Sequence, residues 1–230
     1  MKAITLGGVT LLLFSTVLLG SGTTGDIVEF RLQGGWIQAD LSKFVLDGSP
    51  EPALGDPMPY VTPDGIARIV YRGIDNHIHE LRLQGGWIQA DLFPFVTNGS
   101  PVPAAGDPFP YVTPDGIARI VYIANDLNVH ELRLQGGWIE ENLSALAGVR
   151  KIQGQGNAFA YVAPDNIPRV LYRGGVDSHI HELRLQGSWV ATDLSNALLD
   201  PPPILAAGNP SAYFIQADGI PRLVFRSAGP

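Results

Sequence analysis

Asn76-His77-Ile78-His79-Glu80-Leu81-Arg82-Leu83-Gln84-Gly85-Gly86-Trp87 is one of four versions of the same stretch. The others are Val28-Glu29-Phe30-Arg31-Leu32-Gln33-Gly34-Gly35-Trp36, Val129-His130-Glu131-Leu132-Arg133-Leu134-Gln135-Gly136-Gly137-Trp138 and Ile180-His181-Glu182-Leu183-Arg184-Leu185-Gln186-Gly187-Ser188-Trp189. Trp36, Trp87, Trp138 and Trp189 are the only tryptophans, and successive ones stand 51 residues apart. A repeat of that period decides the fold class, because one such unit cannot bury its apolar face alone.

Around the quoted stretch the period reads as four extended pieces. Pro59-Tyr60-Val61-Thr62 is a short apolar strand. Pro63-Asp64-Gly65 is a turn, in which Pro presets φ and Gly accepts a positive φ. Ile66 to Arg72 is a β-branched strand, and Gly73-Ile74-Asp75-Asn76 turns the chain back. In the strand His77 to Gln84, the side chains of Ile78, Glu80, Arg82 and Gln84 share one face and those of His77, His79, Leu81 and Leu83 the other. Gly85-Gly86 turns again, and Trp87 to Leu92 is the fourth strand. Three tight turns between four strands predict an antiparallel meander. Longer links rich in Gly, Pro, Ser and Ala, such as Phe93 to Phe109 and Ser144 to Phe159, join one meander to the next.

Four short strands in each 51-residue period match a β-propeller blade. Leucine-rich, ankyrin and TPR units have shorter periods and helices, whereas these segments alternate with period two. The chain begins in the third and fourth strands of a blade, Ile27 to Gln33 and Trp36 to Leu41. It ends in the first and second, Ala212 to Ile215 and Ile220 to Arg226. The predicted fold is therefore an all-β propeller of four four-stranded antiparallel blades over residues 25–230, closed by pairing the N- and C-terminal strands in one blade. Closure would leave no strand edge exposed. Four is the low end of the propeller range, so a ring shared between chains, a homo-oligomer, is the alternative.

Residues 1–24 differ in composition: Lys2, an apolar run from Ile4 to Leu19, then Gly20-Ser21-Gly22. They have the order of a secretory signal, and the run is short for a spanning helix. The expected location is secreted or cell surface, with any membrane contact made through this segment if it stays uncleaved. The net charge of -7 and only three lysines argue against nucleic acid, which needs clustered positive charge. With no cysteine, disulfides, thiolate catalysis and Cys-type zinc sites are excluded.

The string Arg-Ile-Val-Tyr, a Gly/Asp/Asn turn, Ile-His-Glu and Gly-Gly-Trp resembles the blades of the fucose-specific lectin superfamily, six-bladed propellers of fungi and bacteria. The resemblance covers Ile27 to Arg226. It implies pockets between neighbouring blades, where an arginine and a glutamate hydrogen-bond the sugar and an aromatic ring stacks on it. By position the glutamate falls on Glu29, Glu80, Glu131 and Glu182, and the aromatic on Trp36, Trp87, Trp138 and Trp189. The repeated arginines Arg68, Arg119, Arg169 and Arg222 precede the strand Tyr or Phe by three residues, where the family has two. A shift of one residue is expected to turn a strand side chain to the opposite face.

Trp, Glu and Arg are what a sugar site requires: an apolar platform beside directed, charge-assisted hydrogen bonds. The same residues have a plainer use, the indoles as filling between blades and Arg68 with Glu80 as a cross-strand pair. His77/His79 and His179/His181 sit at i, i+2, but the third copy reads Asn128-Val129-His130 and the first has no histidine, so a repeated metal site is not expected. His79, His130 and His181 read as packed, hydrogen-bonded strand residues. Asp40, Asp91, Asn142 and Asp193 follow the Trp strand as N-caps of a helical turn. No nucleophile elbow or phosphate loop occurs, and residues repeated in every copy do not look like one asymmetric catalytic centre. The expectation is a non-enzymatic, multivalent glycan-binding propeller without cofactor, fucosylated glycans among its partners. The alternative is a structural or protein-interaction propeller with no small ligand.

Overall fold

The computed structural model describes residues 5–6, 9–10, 25–149, 153–199, 203–215 and 218–229. The signal-like segment therefore lies largely outside the described residues; its described pieces, β1 (Thr5–Leu6) and β2 (Val9–Thr10), pair antiparallel. No helix among the described residues is long and apolar enough to cross a membrane.

Three complete blades follow the predicted meander. Blade 1 is β5 (Met58–Val61), β6 (Ala67–Arg72), β7 (Ile78–Leu83) and β8 (Trp87–Asp91), hydrogen-bonded in that order. Blade 2 is β9 (Phe109–Val112), β10 (Ala118–Ile123), β11 (Val129–Leu134) and β12 (Trp138–Asn142). Blade 3 is β13 (Gly154–Val162), β14 (Pro168–Gly174), β15 (Ile180–Gln186) and β16 (Ser188–Asp193). The turns take the expected chemistry. Gly65 has φ 79° after Pro63-Asp64, and Gly85 has φ 72° before Trp87, both in the region that favours glycine.

The fourth blade departs from expectation. Its outer half, β3 (Val28–Leu32) with β4 (Trp36–Asp40), and its inner half, β17 (Ser211–Phe214) with β18 (Pro221–Val224), are separate two-stranded sheets. Among the described residues no ladder joins β18 to β3, so the ring is not closed within the chain. The two hairpins pack at opposite ends of the row, the β3–β4 end against blade 1 and the β17–β18 end against blade 3. Each half nevertheless has blade geometry. The Ile27 N–H donates to Ser42 Oγ at 2.9 Å, as Val129 does to Ser144 and Ile180 to Ser195 at 3.0 Å. Ala206 bridges Ser227 as Ala53 bridges Gly73 and Ala104 bridges Ala124.

Blades pack face to face through one recurring cluster. Val70 and Ile78 of blade 1, with Leu92 and Phe93 of its link, meet Ile120, Tyr122, Leu132 and Trp138 of blade 2. Val121, Val129 and Leu143 meet Val170, Tyr172, Leu183 and Trp189 in the same way, and Ile27 and Leu41 meet Tyr71, Leu81 and Trp87. At the inner strands Asn157 Oδ1 accepts from the Asp107 N–H at 2.8 Å, and Asn209 Oδ1 from the Asn157 N–H at 3.0 Å. A Cβ at Gly106 would overlap the Gly156 carbonyl oxygen, so glycine permits this close approach. The links begin as expected at three of four caps: Asp91, Asn142 and Asp193 accept backbone N–H bonds at 2.8–3.0 Å. Asp40 makes no cap bond and instead pairs with Lys43 at 2.6 Å.

Candidate functional site

The recurring arginine and glutamate share a blade face. Arg68 is directly opposite Arg82, and Val70 opposite Glu80, so Arg68 and Glu80 are diagonal neighbours on the same side. Arg68 lies on the face away from Tyr71, as its three-residue offset from that tyrosine implies, and the expected cross-strand pair with Glu80 forms; the β5–β6 and β6–β7 ladders run without a bulge. Arg68 Nη1 donates to both Glu80 oxygens at 3.1 and 2.9 Å, and Tyr60 Oη donates to Glu80 at 3.0 Å. Blade 2 repeats this with Arg119 Nη1 to Glu131 at 2.7 Å and Tyr111 Oη to Glu131 at 2.6 Å. Burial opposes the charge on Arg68 and Arg119, but the facing carboxylate outweighs it and both guanidinium pKa values are raised. Burial pushes the Glu131 pKa up, against the pull of Arg119.

Blade 3 differs, and one side chain accounts for it. Thr62 and Thr113 Oγ1 accept from the Nε of Arg68 and Arg119 at 3.1 and 3.3 Å while donating to the turn aspartates Asp64 and Asp115. Blade 3 has Ala163 at that place. Asp165 is left without a threonine partner and takes Arg169 at 2.6 and 2.8 Å, while Arg169 Nε stands 3.4 Å from Glu182. The Arg169 hydrogen bond holds Asp165 at a pKa of about 2. In the C-terminal half-blade Arg222 likewise bonds Asp218, at 2.6 Å. Glu29, in the N-terminal half, is 4.0 Å from its own strand's Arg31.

The tryptophan of each blade lies on the face opposite its Glu and Arg, as the pairing of Trp87 with Leu83 dictates. Each junction therefore brings together a carboxylate and guanidinium from one blade and an indole from the next. Arg68 and Glu80 face the side of blade 2 that carries Trp138; Arg119 and Glu131 face that of Trp189. Both indoles are packed into these junctions and only 7% exposed. Trp87 is half-buried, and Trp36 is 74% exposed among the described residues. Glu29, Glu182, Arg169 and Arg222 thus lack part of the set within this chain.

Two openings flank the blade 1–2 junction. One, of about 250 Å³, is lined by Thr62, Asp64 and Arg68 on one wall and Ala118 and Leu134 on the other. The second, of about 370 Å³, lies between Arg82, Gln89 and Phe95 on one side and Trp138 on the other. Sequence reasoning singled out neither Arg82 nor its equivalents Arg133 and Arg184. Their Nε atoms are buried without a hydrogen-bond partner among the described residues. The signal was present: Leu-Arg-Leu recurs with its arginine two residues beyond each glutamate, on the same face.

His79, His130 and His181 are buried strand residues, hydrogen-bonded through Nε2 to Asp75, Asp126 and Asp177 at 3.0–3.1 Å. The sets Asp75, His77, Asp91 and Asp177, His179, Asp193 bring one ligand atom each within 4.8 Å and could admit a divalent cation. His77 Nδ1 is already bonded to Asp91 at 2.8 Å, and blade 2 has Asn128 and Asn142 at the equivalent positions.

No protein-family model matches the chain, and no curated protein matches it in sequence. Solved structures match in fold. The fucose-specific lectin from Aleuria aurantia superposes with a TM-score of 0.53 at 16% identity, over 90% of this chain and 73% of that one. A point variant of that lectin in complex with Fucα1-6GlcNAc gives 0.51 at 18% identity, over 89% and 65%. AofleA from Arthrobotrys oligospora gives 0.50 at 14% identity, over 91% of this chain and 56% of that one. The repeated four-stranded antiparallel sheets of this chain are thus built on a fucose-lectin-like fold.

Proposed function

We propose that this chain is a multivalent, non-enzymatic glycan-binding protein acting outside the cell or at its surface, with sites at its blade junctions. One observation carries the reading. Arg82, whose Nε is buried and without a partner among the described residues, lines an opening of about 370 Å³ whose far wall includes Trp138. A buried donor left unmade is costly, so a ligand hydroxyl there would gain what the protein forgoes. In this reading the edges of Trp36, Trp87, Trp138 and Trp189 supply the apolar contact. Glu29 and Glu182 are the acceptors, while Glu80 and Glu131, buried under Tyr60 and Tyr111, anchor the polar side of their junctions. Arg68, Arg119, Arg169 and Arg222 orient those carboxylates, and Arg82, Arg133 and Arg184 donate to the sugar. The lectin neighbours support it by fold, and fucosides are the first sugars to try. Weak single sites would gain avidity from repetition.

A glycan array with fucosylated, mannosylated and galactosylated panels tests the proposal. Wild type should bind one panel, and Arg82→Met with Arg133→Met should lower that signal at least tenfold with the far-ultraviolet spectrum unchanged. Silence across all panels would overturn it. The burial of Trp138 and Trp189 favours a second reading in that event, a propeller that serves only structure or protein contact.

A further inference from the structure

The blade 3 end of the chain holds an apolar cavity of about 550 Å³, lined by Ile180, Leu194, Leu198, Ile204, Leu223 and Phe225. Its place in the repeat identifies what is missing. At the blade 2–3 junction the corresponding residues Val129, Leu143, Val170 and Tyr172 close around Leu183 and Trp189. At the blade 1–2 junction Ile78, Leu92, Ile120 and Tyr122 close around Leu132 and Trp138. In the two earlier repeats the positions of these filling residues are held by Leu81 with Trp87 and by Phe30 with Trp36. Leu81 and Trp87 are already used against Ile27 and Leu41. Phe30 and Trp36 are 65% and 74% exposed.

We infer that a second copy of this chain supplies them: its β3–β4 hairpin pairs with β18 of the first copy, making one four-stranded blade from two molecules. The register follows from the complete blades. Arg68 opposite Arg82, Ile69 opposite Leu81 and Val70 opposite Glu80 translate into Arg222 opposite Arg31, Leu223 opposite Phe30 and Val224 opposite Glu29. Three independent features agree with it. Phe30, Trp36 and Val224 are exposed, Val224 at 51%, and Leu223 and Phe225 are only half-buried. The charges are complementary, because Arg222 and Glu29 are the two halves of the ion pair seen between Arg68 and Glu80. Among the described residues both facing strands, β18 and β3, present edges without a ladder partner, of the kind that recruit another strand.

The contact joins unlike surfaces, so each added copy leaves one hairpin free until the assembly closes. Two copies would carry eight blades, within the propeller range of about four to eight. Resting on the glycan reading, the composite blade also completes two junctions. It brings Arg222 to Glu29 beside Trp87, and Trp36 to Arg169 and Glu182.

The absence of cysteine allows a direct test in the sugar-free protein. In Arg31→Cys/Arg222→Cys, mild oxidation should give disulfide-linked species of at least twice the chain mass, reversed by reductant. The off-register pair Arg31→Cys/Leu223→Cys should link far less, because its side chains leave opposite faces. Light scattering of wild type should give a mass of two or more chains, and Trp36→Ala should weaken association about thirtyfold or more, as for an interface anchor. A disulfide confined to single chains would overturn the inference in favour of closure within the chain. A single-chain mass at all concentrations, with no cross-link, would overturn it outright. None of these outcomes depends on sugar, so a silent glycan array leaves them intact.

Discussion

Trp138 and Trp36 occupy the same place in the repeat, and truncating each to alanine should have opposite consequences. Trp138 is 7% exposed within the blade 1–2 core. A tryptophan buries roughly 200 Å², which at about 25 cal/mol per Å² amounts to roughly 5 kcal/mol. The retained Cβ subtracts from this and the cavity adds to it, leaving a loss of about 3–5 kcal/mol for Trp138→Ala. With an m-value near 2 kcal/mol/M the urea midpoint should fall by roughly 2 M. Trp36 is mostly exposed in the single chain. Trp36→Ala, measured in dilute protein shown to be single-copy, should cost no more than about 0.5 kcal/mol. Urea unfolding followed by tryptophan fluorescence and circular dichroism reads both. A loss below about 1 kcal/mol for Trp138→Ala would refute the packing assignment. Equal losses for the two variants in the single-copy state would refute the open half-blade.

Two further perturbations address the ion pairs. Arg119→Leu strips the cation from the fully buried Glu131 and should cost about 3–5 kcal/mol at neutral pH. Burial already raises the folded pKa of Glu131, and losing Arg119 raises it further, so the deficit should be full above that value and shrink as pH falls toward the ordinary carboxylate value near 4.3. Urea titrations at neutral and mildly acidic pH check this, and a deficit that does not move with pH would mean that packing, not charge, is its cause. Ala163→Thr should restore the arrangement of blades 1 and 2, moving Arg169 from Asp165 onto Glu182. The Glu182 pKa, raised by burial, should then fall on carboxyl NMR titration as Arg169 closes on it, and no fall would dismiss the threonine as the orienting group.

Much of the blade was legible from local chemistry. The alternation of Ile78, Glu80 and Arg82 against His79 and Leu81 is a period-two pattern, and the ladders reproduce it. The turns at Pro63-Asp64-Gly65 and Gly85-Gly86 were legible because positive φ selects glycine. The site was only half legible. Arg68 and Glu80 were picked out and read as a cross-strand pair, which the β6–β7 register makes diagonal neighbours on one face. Arg82 was overlooked because its interest lies in an unmade bond, which no letter records. The different behaviour of Arg169 hung on one substitution, Ala163 for threonine, six residues away.

The repeat alone settled the meander, the faces of each strand and most strand limits to within a residue or two; β13 is the exception, beginning at Gly154 inside the expected Ser144 to Phe159 link. These follow from backbone geometry, which acts over a few residues. Whether an indole is a platform or a plug, and whether the two half-blades meet in one molecule, depends on the angle at which one sheet packs on the next. That angle is a sum over many side-chain contacts between distant segments. Identical letters at Trp36 and Trp138 therefore end in opposite environments, one open to solvent and one sealed.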